Sequence, residues 1–310
     1  MGKDKYKVTN WQQYNEGLKQ RGSINIWLQK DVVQRWRYAG TVKRGGQYIY
    51  SDTAITICLL IRKIYHLPLQ QTEGFLTGFF KQMGLGISIP DYTTLSRRSA
   101  RLGVDLSTKT ERGVTDIVVD STGLKVYGEG EWKVRKHGAG KRRTWMKLHI
   151  AIDEQSQQIE AVTLTDNSID DATEVAALVE QIHCPINSFK GDGAYDKCKT
   201  RKLLHEKNKE MKQVIPPQRN AVISKHAKPH LEQRDAAIKA IAQTDRKKWK
   251  QQSGYHQRSK SETVMYRYKT ILGGHLSARK IINQQTEVRV GCKILNTMLR
   301  IAKPVSIKVV

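Results

Sequence analysis

Three acidic residues, Asp120, Asp192 and Glu262, stand in local settings that suit carboxylates to hold a hard cation beside a phosphate. In Val118-Val119-Asp120-Ser121-Thr122-Gly123 a hydrophobic run ends in an acid and then turns. Phe189-Lys190-Gly191-Asp192-Gly193-Ala194-Tyr195-Asp196 repeats that design. A carboxylate at a strand end is fixed by its sheet yet faces the cleft beyond it. Glycines on both sides of Asp192 let backbone and substrate approach closely. Two such carboxylates on adjacent strands can share a divalent cation that prefers oxygen ligands. The third acid lies in Tyr255-Gln-His-Arg258-Ser-Lys-Ser-Glu262-Thr-Val-Met-Tyr-Arg-Tyr-Lys269. On a helix, Tyr255, Arg258, Glu262 and Lys269 fall on one stripe. Val264, Met265, Tyr268, Ile271 and Leu272 fall on another, suited to packing. Each motif also has a plainer reading. Ser259-x-x-Glu262 matches a capping box, and Asp120 and Asp192 could each close an Asx turn.

The elements needed to position these acids are readable around them. Residues 1–112 read as helical and residues 113–310 as alternating strands and helices. In the first part, Asp31–Trp36 is a short basic amphipathic segment. Ser51 opens a helix through Ile64, Leu69–Phe80 forms a second, and Tyr92–Leu102 a third, with Asp91 and Thr93 as caps. Arg97, Arg98 and Arg101 make the third helix basic, so the three resemble a helix-turn-helix unit, against the alternative of a helical bundle with a solvated face. In the second part, Val114–Val119 is predicted as a buried strand ending on Asp120. Lys147–Asp153 and Ile159–Thr165 follow as a hairpin. A helix over Asp170–Ile182, a strand Ile186–Lys190, a helix Lys197–Lys207 and a strand Gln213–Pro216 come next. Residues 219–250 are basic and poorly patterned. Helices are expected at Ser259–Leu272 and Thr286–Ala302, completing an α/β sheet flanked by helices.

Charge dominates the composition. Lys and Arg total 54 against 29 Asp and Glu, a formal net charge of +25. Such an excess usually meets a polyanion, because each neutralised phosphate releases a counterion. A ribosomal or membrane-surface protein would share it, so charge alone names no activity. Cys58, Cys184, Cys198 and Cys292 lie far apart, and no apolar leader follows Met1, which together point to a reduced, cytosolic setting. His226-x-x-x-His230 with Cys198 upstream has zinc-like spacing but lacks a close cysteine pair.

The spacing Tyr-x2-Arg-x3-Glu-x6-Lys, met by Tyr255, Arg258, Glu262 and Lys269, resembles the hallmark of bacterial insertion-sequence transposases. The stretches beginning Asp120-Ser-Thr-Gly-Leu-Lys and Asp192-Gly-Ala-Tyr-Asp are similar to the two other carboxylate motifs of that group. The family it most resembles is the insertion sequence 5 family, with its DDE catalytic domain, over about Val114–Ala302. The resemblance implies a ribonuclease H-like fold and two Mg²⁺ ions, with Mn²⁺ as a substitute. Asp120 would bridge the ions while Asp192 and Glu262 each complete one site. The implied reaction is hydrolysis at the element end followed by strand transfer into target DNA. Implied partners are terminal inverted repeats, target DNA and a second copy of the chain in a homodimer, in a bacterial cytoplasm near the nucleoid.

Several further residues are candidates for DNA contact. Arg258 and Lys269 suit phosphates, the first as a fork and the second as a point charge, with Tyr255 beside them. Basic clusters between Lys125 and Lys147 and between Arg246 and Lys280 could flank a DNA track. Trp249 could stack on an unpaired base or pack in a core, and Trp132 and Trp145 are equally open. Three other functions compete: a DNA-binding protein without catalysis, a nuclease without strand transfer, and a basic RNA-binding protein. The intact triad argues against the first, and the Tyr-Arg-Glu-Lys spacing favours a transposase over the first two. The third explains the charge but not the ordered motifs. Strand-transfer products separate a transposase from all three.

Overall fold

The computed structural model describes residues 5–28, 30–41, 44–106, 113–126 and 145–309. The chain divides into two compact units, one of residues 1–105 with 289–310 and one of residues 106–288. The division therefore falls at 105/106 rather than 112/113. The C-terminal segment, read above as part of the second domain, groups instead with the first unit.

In the first unit, strand β1 (Lys5–Val8) pairs antiparallel with β8 (Ser306–Val309). Helix α1 spans Trp11–Arg21 and α2 spans Lys30–Gln34. The core is built from α3 (Asp52–Ile64), α4 (Leu69–Gln82) and α5 (Tyr92–Ser99), which pack pairwise. Helix α3 starts where Ser51 Oγ accepts a hydrogen bond from Ala54 N at 3.1 Å. Its Ile55, Cys58, Leu59 and Ile61 are buried with Leu76, Phe80, Leu95 and Trp36. Asp91 Oδ1 caps α5 by accepting from the amides of Thr93 and Thr94, each at 2.9 Å, as its position ahead of the helix predicts.

The second unit holds a mixed sheet flanked by helices. Its strands are β2 (Thr115–Val126), β3 (Trp145–Asp153), β4 (Ile159–Asp166), β5 (Ile186–Lys190), β6 (Lys212–Val214) and β7 (His275–Leu276). The order is β4-β3-β2-β5-β6, with β7 joining the far end of β2. β3 runs antiparallel to both β2 and β4, whereas β5 and β6 run parallel to β2. The reversal after β4 is carried by a 3₁₀ turn (Asp171–Glu174) and α6 (Val175–Glu180), and the next crossover by α7 (Cys198–Lys207). Ile117, Val119, Ala151 and Ala161 from one sheet face meet Val175, Leu178, Phe189, Tyr195 and Leu204 in one apolar cluster. Helix α10 (Ser259–Leu272) packs on β2 and β3 through buried Val264, Met265, Tyr268 and Leu272.

Several expectations are corrected. The strand does not end on Asp120 but runs six residues further, to Val126, because it keeps pairing with β3 out to Lys125–Trp145. The helix expected over Asp170–Ile182 begins as a 3₁₀ turn and is α-helical only over Val175–Glu180. The unpatterned 219–250 stretch contains α8 (Glu232–Gln243) and α9 (Arg246–Gln252). The last helix, α11, spans Ile281–Ile301.

Candidate active site

Register brings two of the acids together. Parallel pairing of β2 with β5 aligns Val118 with Lys190. Two residues further along each strand direction stand Asp120 and Asp192. Asp120 is still inside β2, opposite Ile150 of β3. Asp192 lies just past β5, where its side chain accepts a 2.8 Å hydrogen bond from Ala194 N and so starts the 3₁₀ turn Gly193–Tyr195. The glycine before it is a packing requirement. A Cβ on Gly191 would lie 2.8 Å from the Tyr195 ring and 3.1 Å from a Val119 methyl. Only a bare backbone lets the ring lie down there.

Helix α10 brings the third acid. Its buried face fixes it on the sheet, and the residues that open it point at Asp120. Arg258 Nη1 donates to Asp120 Oδ2 at 3.1 Å, and its Nη2 also bonds Glu262 Oε1. The buried Ser261 hydroxyl lies 2.9 Å from the same Asp120 oxygen, and Ser121 N donates to Asp120 Oδ1 at 2.9 Å. The capping-box reading of Ser259 and Glu262 does not hold here. Ser259 Oγ donates backward to His256 O at 2.9 Å, and Glu262 pairs with Arg258 instead. The α-helix does begin at Ser259, but the 3₁₀ turn Tyr255–Arg258 runs straight into it, keeping Tyr255 beside Arg258.

The electrostatics are those of acids crowded in a half-buried place. Burial pushes the Asp120 carboxyl above its ordinary 3.8 and Asp192 adds to the rise, against Ser261, Arg258 and the Ser121 amide, which pull it down. Burial alone would lower the Arg258 guanidinium. Asp120, Tyr255, Glu262 and Asp192 together raise it instead. Burial also pushes the Tyr255 phenol up, and the neighbouring Arg258 opposes it.

The remaining candidates separate. Lys269 is exposed on α10, two helical turns beyond Glu262. Arg97 is exposed on α5. Arg98 is 7% exposed and bonds Tyr50 O at 2.8 Å, with a Tyr48 ring 3.9 Å from its guanidinium and Asp52 as its ion-pair partner. It therefore holds the first unit together rather than offering a charge outward. Trp249 is buried against Val214 and Ala237, its ring 6.4 Å from that of Tyr255. The core alternative weighed for it is the one observed, so it shows no open face to a base. Lys125 and Trp145 fall within the second unit, while residues 127–144 of that basic stretch, including Trp132, lie outside the described residues. Cys198 Sγ lies 3.4 Å from His230 Nε2, but among the described residues no third ligand joins them.

One acid of the neighbourhood was not anticipated. Asp171 accepts from the Ser121 hydroxyl and from Lys147 Nζ, both at 2.8 Å. The polar alternation Lys147-Leu-His149 inside an apolar strand is the signal that marks this face.

Among the described residues, no three His, Cys, Asp or Glu side chains stand close enough together to ligate one ion. The donor chemistry nevertheless fits a hard divalent cation. Asp120 and Glu262 already share one positive group, the Arg258 guanidinium, and the β2–β5 register sets Asp192 abreast of Asp120.

A family model described as a transposase DDE domain matches residues 112–296, more than half of the chain. A second model of the same description matches residues 19–129. The chain belongs to the DDE transposase family, enzymes of DNA transposition. Among solved structures it is similar to a piggyBac transposase synaptic complex with hairpin DNA, at 9% identity and a TM-score of 0.40, covering 95% of this chain and 77% of that one. It is also similar to a Drosophila P element transposase strand transfer complex, at 10% identity and a TM-score of 0.32, covering 65% of this chain and 47% of that one.

Proposed function

We propose that the second unit is a ribonuclease H-like catalytic domain in which Asp120, Asp192 and Glu262 cut and join DNA ends. The single observation that carries this reading is the Arg258 guanidinium that bonds both Asp120 and Glu262, with Asp120 abreast of Asp192 by the β2–β5 register. The strand order, three antiparallel strands followed by two parallel ones, supports the fold assignment. The metal requirement follows from the family, and we assign the metal as Mg²⁺, two ions, with Mn²⁺ as a substitute. Asp120, Asp192 and Glu262 would hold the ions. When bound, they supply a lowered pKa for the attacking oxygen and positive charge for the leaving one.

The chain's own residues do the rest. Arg258 is placed to fork onto a phosphate once it leaves the carboxylates, and Tyr255 shapes the wall next to it. Lys269 presents a point charge further along the same helix. Arg97 and the three-helix core of the first unit would contact DNA. We assign the substrates as terminal inverted repeats and target DNA, and the order as hydrolysis at the element end followed by strand transfer. The insertion sequence 5 family, a bacterial nucleoid setting and a homodimer on DNA complete the proposal. The net charge of +25 favours a polyphosphate partner. Among the described residues, no helix is long and apolar enough to cross a membrane.

The test mixes the protein with Mg²⁺, a labelled library of candidate element ends and a target plasmid. Asp120→Ala, Asp192→Ala and Glu262→Ala run in parallel. Joined products in the wild type, lost in all three variants while DNA binding persists, support the reading. Cleavage without joining points to a nuclease, and binding with neither, in Mg²⁺ or Mn²⁺, to a DNA-binding protein.

A further inference from the structure

The loop that follows β6 has no part in that scheme, yet it starts beside Asp192. β5 and β6 are parallel and Lys190 pairs with Val214, so both strands end at the same edge of the sheet. Past that edge, Pro216 O would lie 3.6 Å from a Cβ on Gly193, the residue after Asp192. The Gln218 amide then donates at 3.1 Å to Oδ2 of Asp196, which closes the turn that Asp192 opens.

The rest of the loop is tied down. Arg234 Nε reaches the same Asp196 oxygen at 3.3 Å, while its Nη1 donates to Val222 O at 3.0 Å. Ala221 N donates to Gln218 O at 3.1 Å, and Ser224 N to Asp235 Oδ2 at 3.2 Å. Between these anchors the loop shows apolar side chains to water. Val222 is 76% exposed, the most of any large hydrophobic among the described residues, and Ile223 is 46% exposed. Arg219, Lys225 and Lys228 are exposed around them.

A single exposed valine means little. Two apolar residues in succession, on a hydrogen-bonded backbone flanked by cations, ask for a ligand that is anionic and apolar at once. DNA meets both demands, because its phosphates take the cations and its base steps admit apolar side chains that unstack them. A second copy of the chain would bring the same cations and a net charge of +25, so it is repelled there.

We propose that residues 218–228 form a DNA wedge at the flank of the cut. Arg219, Lys225 and Lys228 hold phosphates, while Val222 and Ile223 enter the base stack next to the phosphate that reacts. The wedge rests on the DNA-cutting reading given under Proposed function and deepens it, by assigning the opening of the duplex to this loop.

The test uses the full chain with Mg²⁺ and duplexes carrying a candidate element end, with 2-aminopurine placed in turn at each base step around the cut. The wild type should raise the fluorescence at one step, because unstacking relieves quenching of the probe. Val222→Ser with Ile223→Ser should lose that rise, with melting temperature and salt dependence of binding unchanged. Arg219→Gln, Lys225→Gln and Lys228→Gln together should instead flatten the slope of log K against log salt by about 3, close to 0.9 for each phosphate contact. A rise that persists in the apolar variant, or no rise at any step in a wild type that cuts the duplex, overturns the wedge and leaves the catalytic reading standing. So does a wild type that self-associates without DNA and loses that association in the apolar variant, which would make the loop a protein contact. An apolar variant that melts well below the wild type overturns it too, since the pair would then already be packed. A wild type that neither binds nor cuts these duplexes overturns the DNA-cutting reading itself, and the wedge with it.

Discussion

Arg258 Nη1 lies 3.1 Å from Asp120 Oδ2 while Nη2 of the same guanidinium bonds Glu262, so one side chain spans two carboxylates carried by a strand and a helix. This arginine neutralises carboxylate charge that a bound cation would also meet. Arg258→Ala should lower metal-free stability by roughly 2 kcal/mol, the worth of a hydrogen bond to a charged group. Divalent metal should then restore more stability to the variant than it adds to the wild type. Melts with and without Mg²⁺ check this, and equal metal-induced shifts would refute it.

Gly191→Ala should cost about 1–3 kcal/mol, because the new methyl meets the Tyr195 ring at 2.8 Å and Val119 at 3.1 Å. A denaturant midpoint unchanged from the wild type would show that the ring gives way freely.

Asp196 and Arg201 form an ion pair at 2.9 Å, with side chains 0% and 1% exposed. Arg234 and the Gln218 amide also reach Asp196. Arg201→Met strands a buried carboxylate and should destabilise by about 3–5 kcal/mol. Adding Asp196→Asn should recover part of that loss, so the double variant costs less than the two single changes combined. Strict additivity in equilibrium unfolding would rule out the coupling.

His149 is fully buried, and burial holds its imidazole below the ordinary 6.5 in spite of Asp171 nearby. The unfolded chain therefore takes up a proton at a pH where the folded one does not. Stability contributed by the neutral ring is complete above 6.5 and is lost as pH falls from 6.5 toward the lowered folded value. Unfolding free energies at several pH values should show this slope in the wild type and a weaker one in His149→Gln. Parallel curves would mean that another group carries the dependence.

If Lys269 meets a phosphate, Lys269→Ala should flatten the slope of log K against log salt for DNA binding by about 1. A weaker but equally salt-sensitive complex would place this lysine elsewhere.

The residues show which parts of this were legible in the sequence. The β-branched run before Asp120 and the glycines around Asp192 carry local signals, and both strands are found there. What the chain order hides is the register of β2 on β5, which alone sets Asp120 and Asp192 abreast. Burial is equally hidden for residues that look alike in a basic stretch. Arg97 and Arg98 are neighbours, yet one is exposed and the other is locked onto Tyr50 and Asp52. Trp249 sits among lysines and is nevertheless core. Helix α8 escapes a periodicity search because Ala237 is its one fully buried residue, too sparse a stripe to stand out. The β1–β8 pair escapes it because its strands come from opposite ends of the chain.

That last pairing also sets an order of events during synthesis. Thr9 bonds Val305 across 296 residues, and the second unit lies wholly between the two pieces of the first. All six strands of the mixed sheet leave the ribosome before the final partner of β1 exists. At typical elongation rates the opening strand waits roughly 15–60 s with an unpaired edge. The inserted unit is thus free to fold first, and the outer unit is the one exposed to mispairing while translation is still under way.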